Sequence, residues 1–354
     1  MKGVLLAGGH GTRLRPLTMT RPKQLLPVAN KPVLAYAIEG LLTAGIDDLA
    51  VVVGGAHSDA VQTHLADWAY DTPITVIEQG DPRGLAHAVG CAEPFVGGEP
   101  FVVAFGDTLL AAETLAAVVE GFDPAKSSLF LPLQAVDDPS RFGIVEFDDG
   151  QPVGAYEKPT SPPSAVAYLG AVGFGPAVFD CIAGLDPSSR GELELTEAID
   201  TLLGREVDCQ WQLFDGRWID VGTPEDLLAA NSAVLDDLDG HNSTETTQRE
   251  RTHDSQEDAV VVSTGATIDP AATLIGPVVI GDNVRIDGCS QVGPFVSIGA
   301  GCRLEDATLQ HTVLLEEVSV SGVDLHDSIL GARTVVDSLD RPARLVVGDD
   351  SVVR

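Results

Sequence analysis

The residues best suited to chemistry lie in a glycine-rich segment near the N-terminus. Residues 6–18 read LAGGHGTRLRPLT, and PKQLLP follows at residues 22–27. Glycines leave backbone N–H groups open to a phosphate, because no Cβ obstructs its approach. Arg13 and Lys23 supply cations that neutralise phosphate charge. Three glycines, three arginines and one lysine within the 16 residues 8–23 favour a triphosphate-binding loop over a simple turn.

Two carboxylates stand where short apolar segments end. Asp107 comes shortly after the apolar segment 101–105, and Asp220 directly follows Trp218 and Ile219. Open α/β sheets bind ligands at the carboxyl ends of their strands, so these positions are candidate ligand sites. The ordinary alternative for either aspartate is a solvated surface position, because acidic residues are in excess in this chain.

A charged pair, Glu157 and Lys158, follows a predicted strand. It could be an ordinary exposed ion pair, but lysine is rare in this chain. The five lysines are Lys2, Lys23, Lys31, Lys126 and Lys158. A chain with so few lysines favours a functional role for those that stand in motifs, which are Lys23 and Lys158.

Five separated motifs resemble those of the sugar-1-phosphate nucleotidyltransferases, most closely the long glucose-1-phosphate thymidylyltransferases. The motifs are GGxGTRLxP with PKQLLP, Gln79 with Gly84–Ala88, Gly106–Asp107, Glu157–Lys158–Pro159 and Trp218–Thr223. The resemblance implies transfer of a nucleoside monophosphate from an NTP to a sugar 1-phosphate, with release of pyrophosphate. It also implies Mg²⁺ as the cofactor, held by Asp107 and Asp220.

The resemblance further implies three sets of site residues. The catalytic set is Arg13, Lys23, Asp107, Lys158 and Asp220. The nucleotide-binding set is Leu6, Gly8, Gly9, Gly11, Thr12, Arg13, Lys23, Gln24, Gln79 and Gly84. The sugar-phosphate set is Phe142, Gly143, Glu157, Lys158 and Gly170.

Two other positions are less clear. Similar enzymes often have Asn where this chain has Thr108, to which we assign no role. The segment RGELELT at residues 190–196 also matches, but Arg190 and Glu194 fit a charged helix start equally well.

The choice of nucleotide depends on Gln24 and Gln79. Their side-chain amides fit the thymidylyl-type pattern, in which an amide pairs with a pyrimidine edge. Gly11 and Gly84 would permit close approach of the base. Uracil presents the same hydrogen-bonding edge as thymine, so the sequence favours dTTP and leaves UTP as the alternative.

The chain divides into two predicted domains. Residues 1–235 alternate strand and helix patterns, which predicts an α/β fold. The resemblance implies that this is a Rossmann-like nucleotidyltransferase domain with a mixed sheet. The polar residues 236–258 read as a linker. Residues 259–354 contain a six-residue repeat, which predicts a parallel β-helix; the resemblance implies a left-handed one. The repeating aliphatic positions are Ile268, Leu274, Ile280, Ile286, Val292, Ile298 and Leu304.

The role of the predicted β-helix has two interpretations. Hexapeptide β-helices also occur in acyltransferases, but this repeat contains only His311 and His326 as histidines. We favour an assembly or regulatory module, and because its coil faces are exposed we expect a homo-oligomer. A different class of function is a catalytically silent subunit that binds sugar nucleotides. The intact motifs favour an enzyme instead.

Composition restricts the partners and the location. The 354 residues include 21 Lys and Arg against 53 Asp and Glu, a net charge of −32. This charge opposes binding to nucleic acid or to an anionic membrane. No apolar run approaches the roughly 18–20 residues of a membrane span. Five scattered cysteines fit reduced thiols. We expect a cytoplasmic protein, and its acidic, lysine-poor composition resembles that of salt-in halophiles.

Overall fold

A computed structural model describes residues 1–55, 58–68, 70, 72–205, 207–240, 250–251 and 259–354. The α-helices of these residues are α1 (Val33–Thr43), α2 (Ser58–Asp67), α3 (Leu85–Cys91), α4 (Glu93–Val96), α5 (Ala112–Gly121), α6 (Ala177–Ala183), α7 (Leu195–Gly204) and α8 (Pro224–Gly240). Short 3₁₀ turns span Thr12–Leu14, Leu17–Met19, Lys23–Leu25 and Pro139–Arg141. None of the helices in these ranges combines the length and the apolar character that crossing a membrane requires.

The strands are numbered in chain order. Those before α8 are β1 (Lys2–Ala7), β2 (Pro27–Val28), β3 (Lys31–Pro32), β4 (Asp48–Val53), β5 (Ile74–Glu78), β6 (Phe101–Phe105), β7 (Thr108–Leu110), β8 (Leu129–Ala135), β9 (Gly143–Asp148), β10 (Gln151–Glu157), β11 (Val166–Tyr168), β12 (Ala171–Phe174), β13 (Cys209–Leu213) and β14 (Trp218–Asp220). Those after it are β15 (Glu250–Arg251), β16 (Val260–Val262), β17 (Thr267–Ile268), β18 (Thr273–Leu274), β19 (Val278–Ile280), β20 (Arg285–Ile286), β21 (Gln291–Val292), β22 (Val296–Ile298), β23 (Arg303–Leu314), β24 (Ser319–Leu330), β25 (Val335–Asp337), β26 (Val346–Val347) and β27 (Val352–Val353).

The chain forms two compact units. The first contains residues 1–10 and 34–220, and the second contains residues 11–33 and 221–354. The segment predicted as a linker begins inside α8, which continues to Gly240. Its residues 241–249 and 252–258 lie outside the described residues.

The first unit is built around a mixed sheet, as predicted. Its strand order is β10-β9-β11-β8-β12-β6-β1-β4-β5, with β13 beside β8. Strands β1, β4, β5 and β6 run parallel, whereas β12 is antiparallel to β6. The chain first adds β4 and β5 on one side of β1 and then places β6 on the other side. Such a reversal opens a crevice at the carboxyl ends of the strands, where α/β sheets bind ligands.

Buried apolar runs explain why these strands form. Residues 51–53 of β4 are fully buried valines, and Phe101 of β6 is also fully buried. The ring of Phe101 stacks on Phe179 of α6, with 5.4 Å between the ring centroids. Strands buried on both faces read as continuous hydrophobic runs, which is why they were visible in the sequence.

The second unit contains the C-terminal parallel β-helix. Val278 pairs with Val296, 18 residues later, which equals three of the six-residue periods in the sequence. From Arg303, which pairs with Ser319, the coils span 16 or 17 residues instead of 18. This shortening explains why the repeat blurs in the sequence after Leu304. The aliphatic side chains from Ile280 onward that the repeat predicts to point inward are buried, and Ile268 and Leu274 are partly buried against the same core.

Candidate active site

The amide of Gln79, just beyond β5, is held in one orientation. Its Nε2 donates to the carbonyl oxygen of Gly84 at 3.1 Å and lies 3.1 Å from Nδ1 of His87. Because a carbonyl oxygen only accepts, the NH₂ group must face Gly84, and Oε1 points the other way. A Cβ at Gly8 would lie only 2.4 Å from this Oε1, so a larger residue there would force the amide to shift. None of the described residues donates to Oε1, which leaves it available for a ligand N–H.

His87 supports this orientation. Burial, and secondarily the charge of Arg83, lowers the pKa of His87. The ring is therefore neutral near pH 7, and its Nδ1 can accept from Gln79 while Nε2 carries the proton. Nε2 lies 3.8 Å from Sγ of Cys91, an acceptor for that proton.

A cleft of about 900 Å³ opens at the carboxyl ends of β4 and β5. Its walls come from the ends of these two strands and from the segments that follow β1, β4 and β5. The lining residues include His10, Gly54, Gly55, Ser58, Glu78, Gly80 and Asp81. The cleft is large enough for a nucleoside.

Asp107 and Asp220 are brought to adjacent strands. Strand β7 pairs with β14, and Thr108 lies opposite Asp220, so Asp107 immediately precedes the paired position. Both aspartates are half-buried. Carboxylate oxygens suit a hard cation such as Mg²⁺, which is commonly held by one or two carboxylates plus water and substrate phosphate. No group of three or more His, Cys, Asp or Glu side chains that could hold a metal ion occurs among the described residues. A Mg²⁺ site that takes its remaining ligands from water and substrate phosphate needs only the two aspartates.

Gly170, one of the residues predicted to bind the sugar, packs against Thr108. A Cβ at Gly170 would lie 2.8 Å from Cγ2 of Thr108, whose side chain is buried. The backbone carbonyl of Gly170 also accepts from the N–H of Phe105 at 2.8 Å. Packing therefore explains this glycine, and its part in sugar binding stays a prediction.

Glu157 and Lys158 form the centre of a charged cluster. Nζ of Lys158 lies 2.8 Å from Oε1 of Glu157, and Nη2 of Arg190 lies 3.0 Å from the same oxygen. The hydroxyl of Thr196 donates to Oε2 at 2.6 Å. Burial is the largest single influence on the Glu157 pKa and raises it, but Lys158, Thr196 and Arg190 together outweigh burial and lower the pKa. Glu157 is therefore ionised at neutral pH.

Arg190 belongs to this cluster, a point that the sequence left undecided. Its guanidinium bridges Glu157 and the buried Glu194, with 2.7 Å between Nη2 and Oε2 of Glu194. Glu194 also accepts from the hydroxyl of Ser188 at 2.7 Å. The RGELELT motif was the available signal. Two partly exposed cations, Lys158 and Arg190, thus share one carboxylate oxygen, and their N–H groups could also donate to a phosphate.

The backbone of Lys158 is unusual. Its φ is +44°, in the left-handed region that non-glycine residues rarely adopt and that often occurs at ligand sites. The N–H of Lys158 donates to the carbonyl of Phe142 at 3.0 Å, which fixes the lysine beside that residue. The ring of Phe142 lies 4.7 Å from that of Trp218. The neighbouring Gly143 accommodates the ring of Tyr168, which a Cβ would strike.

In the second unit, the loop after Gly11 carries two predicted phosphate ligands, Arg13 and Lys23. Gly11 has φ +61°, and its carbonyl accepts from Leu14 N–H at 3.0 Å and from the Thr18 hydroxyl at 2.7 Å. A Cβ at Gly11 would lie 3.0 Å from Cβ of Lys23, so the lysine stem packs against this turn. The guanidinium of Arg13 lies against the backbone of Gly222.

The other predicted nucleotide ligands differ in their exposure. Gln24 is buried, and its Oε1 has no hydrogen-bond partner among the described residues. A buried acceptor without a donor is rare and costly, which is consistent with a ligand contact. Leu6 is buried in β1 and uses its carbonyl to accept from Gly106 N–H. Gly9 and Thr12 are exposed.

Comparisons with known proteins identify the family of the chain. A sequence model of the family described as Nucleotidyl transferase matches residues 2–237. The low-salt glycan biosynthesis nucleotidyltransferase Agl11 of Haloferax volcanii is 42% identical over all of both chains. A glucose-1-phosphate thymidylyltransferase of Streptomyces antibioticus is 39% identical over 100% of this chain and 99% of its own.

A solved structure is similar over the N-terminal part. It is that of a putative glucose-1-phosphate thymidylyltransferase from Bacillus anthracis in complex with sucrose, 35% identical, with a TM-score of 0.61. The similarity covers 66% of this chain and 94% of that one. The loop motif, the sheet and the matches over the full length together identify the chain as a member of the nucleotidyl transferase family, in a long form with a C-terminal extension.

Proposed function

We propose that the chain transfers dTMP from dTTP to glucose 1-phosphate, giving dTDP-glucose and pyrophosphate. The observation that carries this proposal is the fixed amide of Gln79, whose Oε1 is oriented to accept a hydrogen bond. Thymine and uracil carry an N3–H that such an oxygen binds. The full-length similarity to the thymidylyltransferase of Streptomyces antibioticus supports the same choice.

The reaction is an in-line displacement at phosphorus. An oxygen of the sugar 1-phosphate attacks the α-phosphorus of dTTP, the new P–O bond forms, and the bond to the bridging oxygen of pyrophosphate breaks. A phosphate dianion is already nucleophilic, so neither a general base nor a covalent intermediate is required. Catalysis then consists of positioning and charge neutralisation.

Each charged residue has a part in this displacement. Lys158 and Arg190 bind and orient the phosphate of the sugar 1-phosphate. Glu157 accepts hydrogen bonds from the hydroxyl groups of the sugar. Phe142, Gly143 and Gly170 complete the proposed sugar site.

Arg13 and Lys23 neutralise the charge that develops on the leaving pyrophosphate. Leu6, Gly8, Gly9, Gly11, Thr12, Gln24, Gln79 and Gly84 complete the proposed nucleotide site. Asp107 and Asp220 would hold Mg²⁺, which when bound neutralises phosphate charge.

The direct test is pyrophosphate release from glucose 1-phosphate with dTTP, UTP, GTP, ATP or CTP in turn. We expect turnover with dTTP to exceed that with every other NTP. A preference for UTP would retain the proposed chemistry and move the enzyme to the uridylyltransferases. If no NTP supports release with glucose 1-phosphate or other hexose 1-phosphates, the proposed function is wrong and the silent-subunit interpretation replaces it.

We also propose that the protein is halophilic and, because its β-helix exposes coil faces, a homo-oligomer. With a net charge of −32, self-repulsion opposes the folded state at low ionic strength, and concentrated cations screen it. The same assay in low and in molar KCl tests the halophilic character, with activity expected to rise with salt. Activity that is greatest at the lowest KCl concentration would contradict it.

Gly8→Ala tests the role of the Gln79 amide. The new Cβ would lie 2.4 Å from Oε1, so the amide must shift away from its present orientation. We expect the KM for dTTP to rise about tenfold, the equivalent of one lost hydrogen bond, with a smaller change in the KM for the sugar 1-phosphate.

The matched control is Gly204→Ala at the end of α7, where an added Cβ meets no atom within 4 Å. It should behave like the wild type. An unchanged KM for dTTP in Gly8→Ala would remove Gln79 from the base site.

A further inference from the structure

The loop that carries Arg13 and Lys23, residues 11–33, contacts the β-helix through the side chain of Arg21. Nη2 of Arg21 lies 2.7 Å from Oε1 of Glu316, in the turn between β23 and β24. The same nitrogen lies 3.0 Å from Oδ2 of Asp349, between β26 and β27. The side chain of Asp349 is only 4% exposed and that of Arg21 only 18%, so water screens this contact weakly.

Asp349 is itself fixed in place by the β-helix. Its Oδ1 accepts from Ala332 N–H at 2.8 Å, and its Oδ2 accepts from the hydroxyl of Thr20 at 2.9 Å as well as from Arg21. A buried carboxylate that loses its cation is costly, because its charge then lacks compensation. Asp349 therefore favours one position of residues 20 and 21.

A second attachment holds the other end of the loop. The hairpin of β2 and β3 has Ala29 and Asn30 at its tip, both with positive φ. Nδ2 of Asn30 donates to the carbonyl of Ile298 in β22 at 2.7 Å. The N–H of Ala29 donates at 2.9 Å to Oδ1 of Asn231 in α8, which also accepts from the hydroxyl of Ser297 at 2.7 Å. Two non-glycine residues in the left-handed region are stable only where the surroundings hold them.

The loop, residues 11–33, has little regular structure of its own. It contains three-residue 3₁₀ turns and strands of only two residues. Elements this short do not persist without outside contacts. The positions of Arg13 and Lys23 thus depend on what Arg21, Ala29 and Asn30 contact.

We propose that Arg21, paired with Glu316 and Asp349, is a positioning residue through which the β-helix sets the geometry of the phosphate-binding loop. The inference rests on the proposed function for the roles of Arg13 and Lys23. The β-helix then contributes to the transfer reaction without contacting the substrates. Arg21 acts through the loop and is not itself a ligand.

The test compares Arg21→Met with Arg21→Lys in the full-length chain. Methionine removes the charge, so we expect kcat to fall about 10- to 100-fold through misplacement of Arg13 and Lys23, with the KM for the sugar 1-phosphate almost unchanged. Lysine keeps a cation within reach of Asp349 and should restore most of kcat. Arg285→Met is the matched control, because Arg285 is an exposed residue of β20 in the same β-helix, and it should leave kcat unchanged.

Hydrogen exchange of the amides of residues 11–26 tests the inference without any substrate. We expect these amides to exchange at least about tenfold faster in Arg21→Met, with β22 to β24 as protected as in the wild type. Glu316→Gln, a milder change at a partly exposed residue, should show a smaller effect in the same direction and keeps the test valid if Arg21→Met does not fold. The proposal is overturned if residues 11–26 exchange in Arg21→Met as they do in the wild type, or in Glu316→Gln if Arg21→Met does not fold. Equal losses of kcat in Arg21→Met and Arg285→Met would also overturn it. If the wild type proves inactive with every NTP, the proposed function fails while the exchange experiment still decides whether the β-helix holds the loop.

Discussion

Replacing Arg13 with alanine is expected to lower kcat by about 100- to 1,000-fold, the usual effect of removing one group that stabilises transition-state charge. Charge moves onto the departing pyrophosphate as the bond to the α-phosphorus breaks, and a guanidinium neutralises that charge through paired N–H groups. The sugar 1-phosphate is bound by other residues in the proposal. Its KM should therefore change far less than kcat, and steady-state kinetics with both substrates varied measures the two effects separately.

The control for this variant is Arg303→Ala. Arg303 is an exposed residue of β23 in the second unit, so the substitution makes the same change in net charge. It should reproduce wild-type kinetics, because isolated surface charges contribute little. The opposite pattern in Arg13→Ala, a raised KM for the sugar 1-phosphate with nearly normal kcat, would remove Arg13 from the leaving-group role.

Local patterns made much of the fold predictable. The apolar segment 101–105 marked the buried strand β6, and the position of Asp107 beyond its end followed from it. The six-residue repeat predicted the β-helix, because each aliphatic residue of the repeat must point into the same narrow core. Each of these signals lies within a few residues of the element that it describes, so no knowledge of distant contacts was needed.

The contacts that shape the candidate site were less accessible to the sequence. Arg21 meets Glu316 and Asp349 across 295 and 328 residues, and no repeat or motif links these three positions. In the sequence, Arg190 fits an ordinary charge at the start of a helix. In the structure it contacts Glu157 at the end of β10. Such interactions depend on which distant elements pack together, whereas the motifs reveal only which residue types are present.

Replacing Lys158 with alanine is expected to raise the KM for the sugar 1-phosphate by about 10- to 100-fold, the range for one hydrogen bond to a charged group. The cluster explains why this lysine is not an ordinary surface charge. Its ammonium group shares Oε1 of Glu157 with Arg190, so its removal leaves Arg190 alone to offset Glu157 and Glu194. The local charge then becomes net negative and repels a phosphate dianion.

Lys126→Ala separates this effect from the simple loss of a lysine. Lys126 also forms an ion pair, at 2.7 Å with Asp123, but its side chain is 74% exposed and belongs to no motif. We expect the KM of Lys126→Ala for the sugar 1-phosphate to stay within about twofold of the wild type, because exposed ion pairs contribute little. Isothermal titration with the sugar 1-phosphate gives the same comparison without turnover. If both lysine variants bind the sugar phosphate like the wild type, the cluster around Glu157 is structural, and the nucleophile must be bound elsewhere.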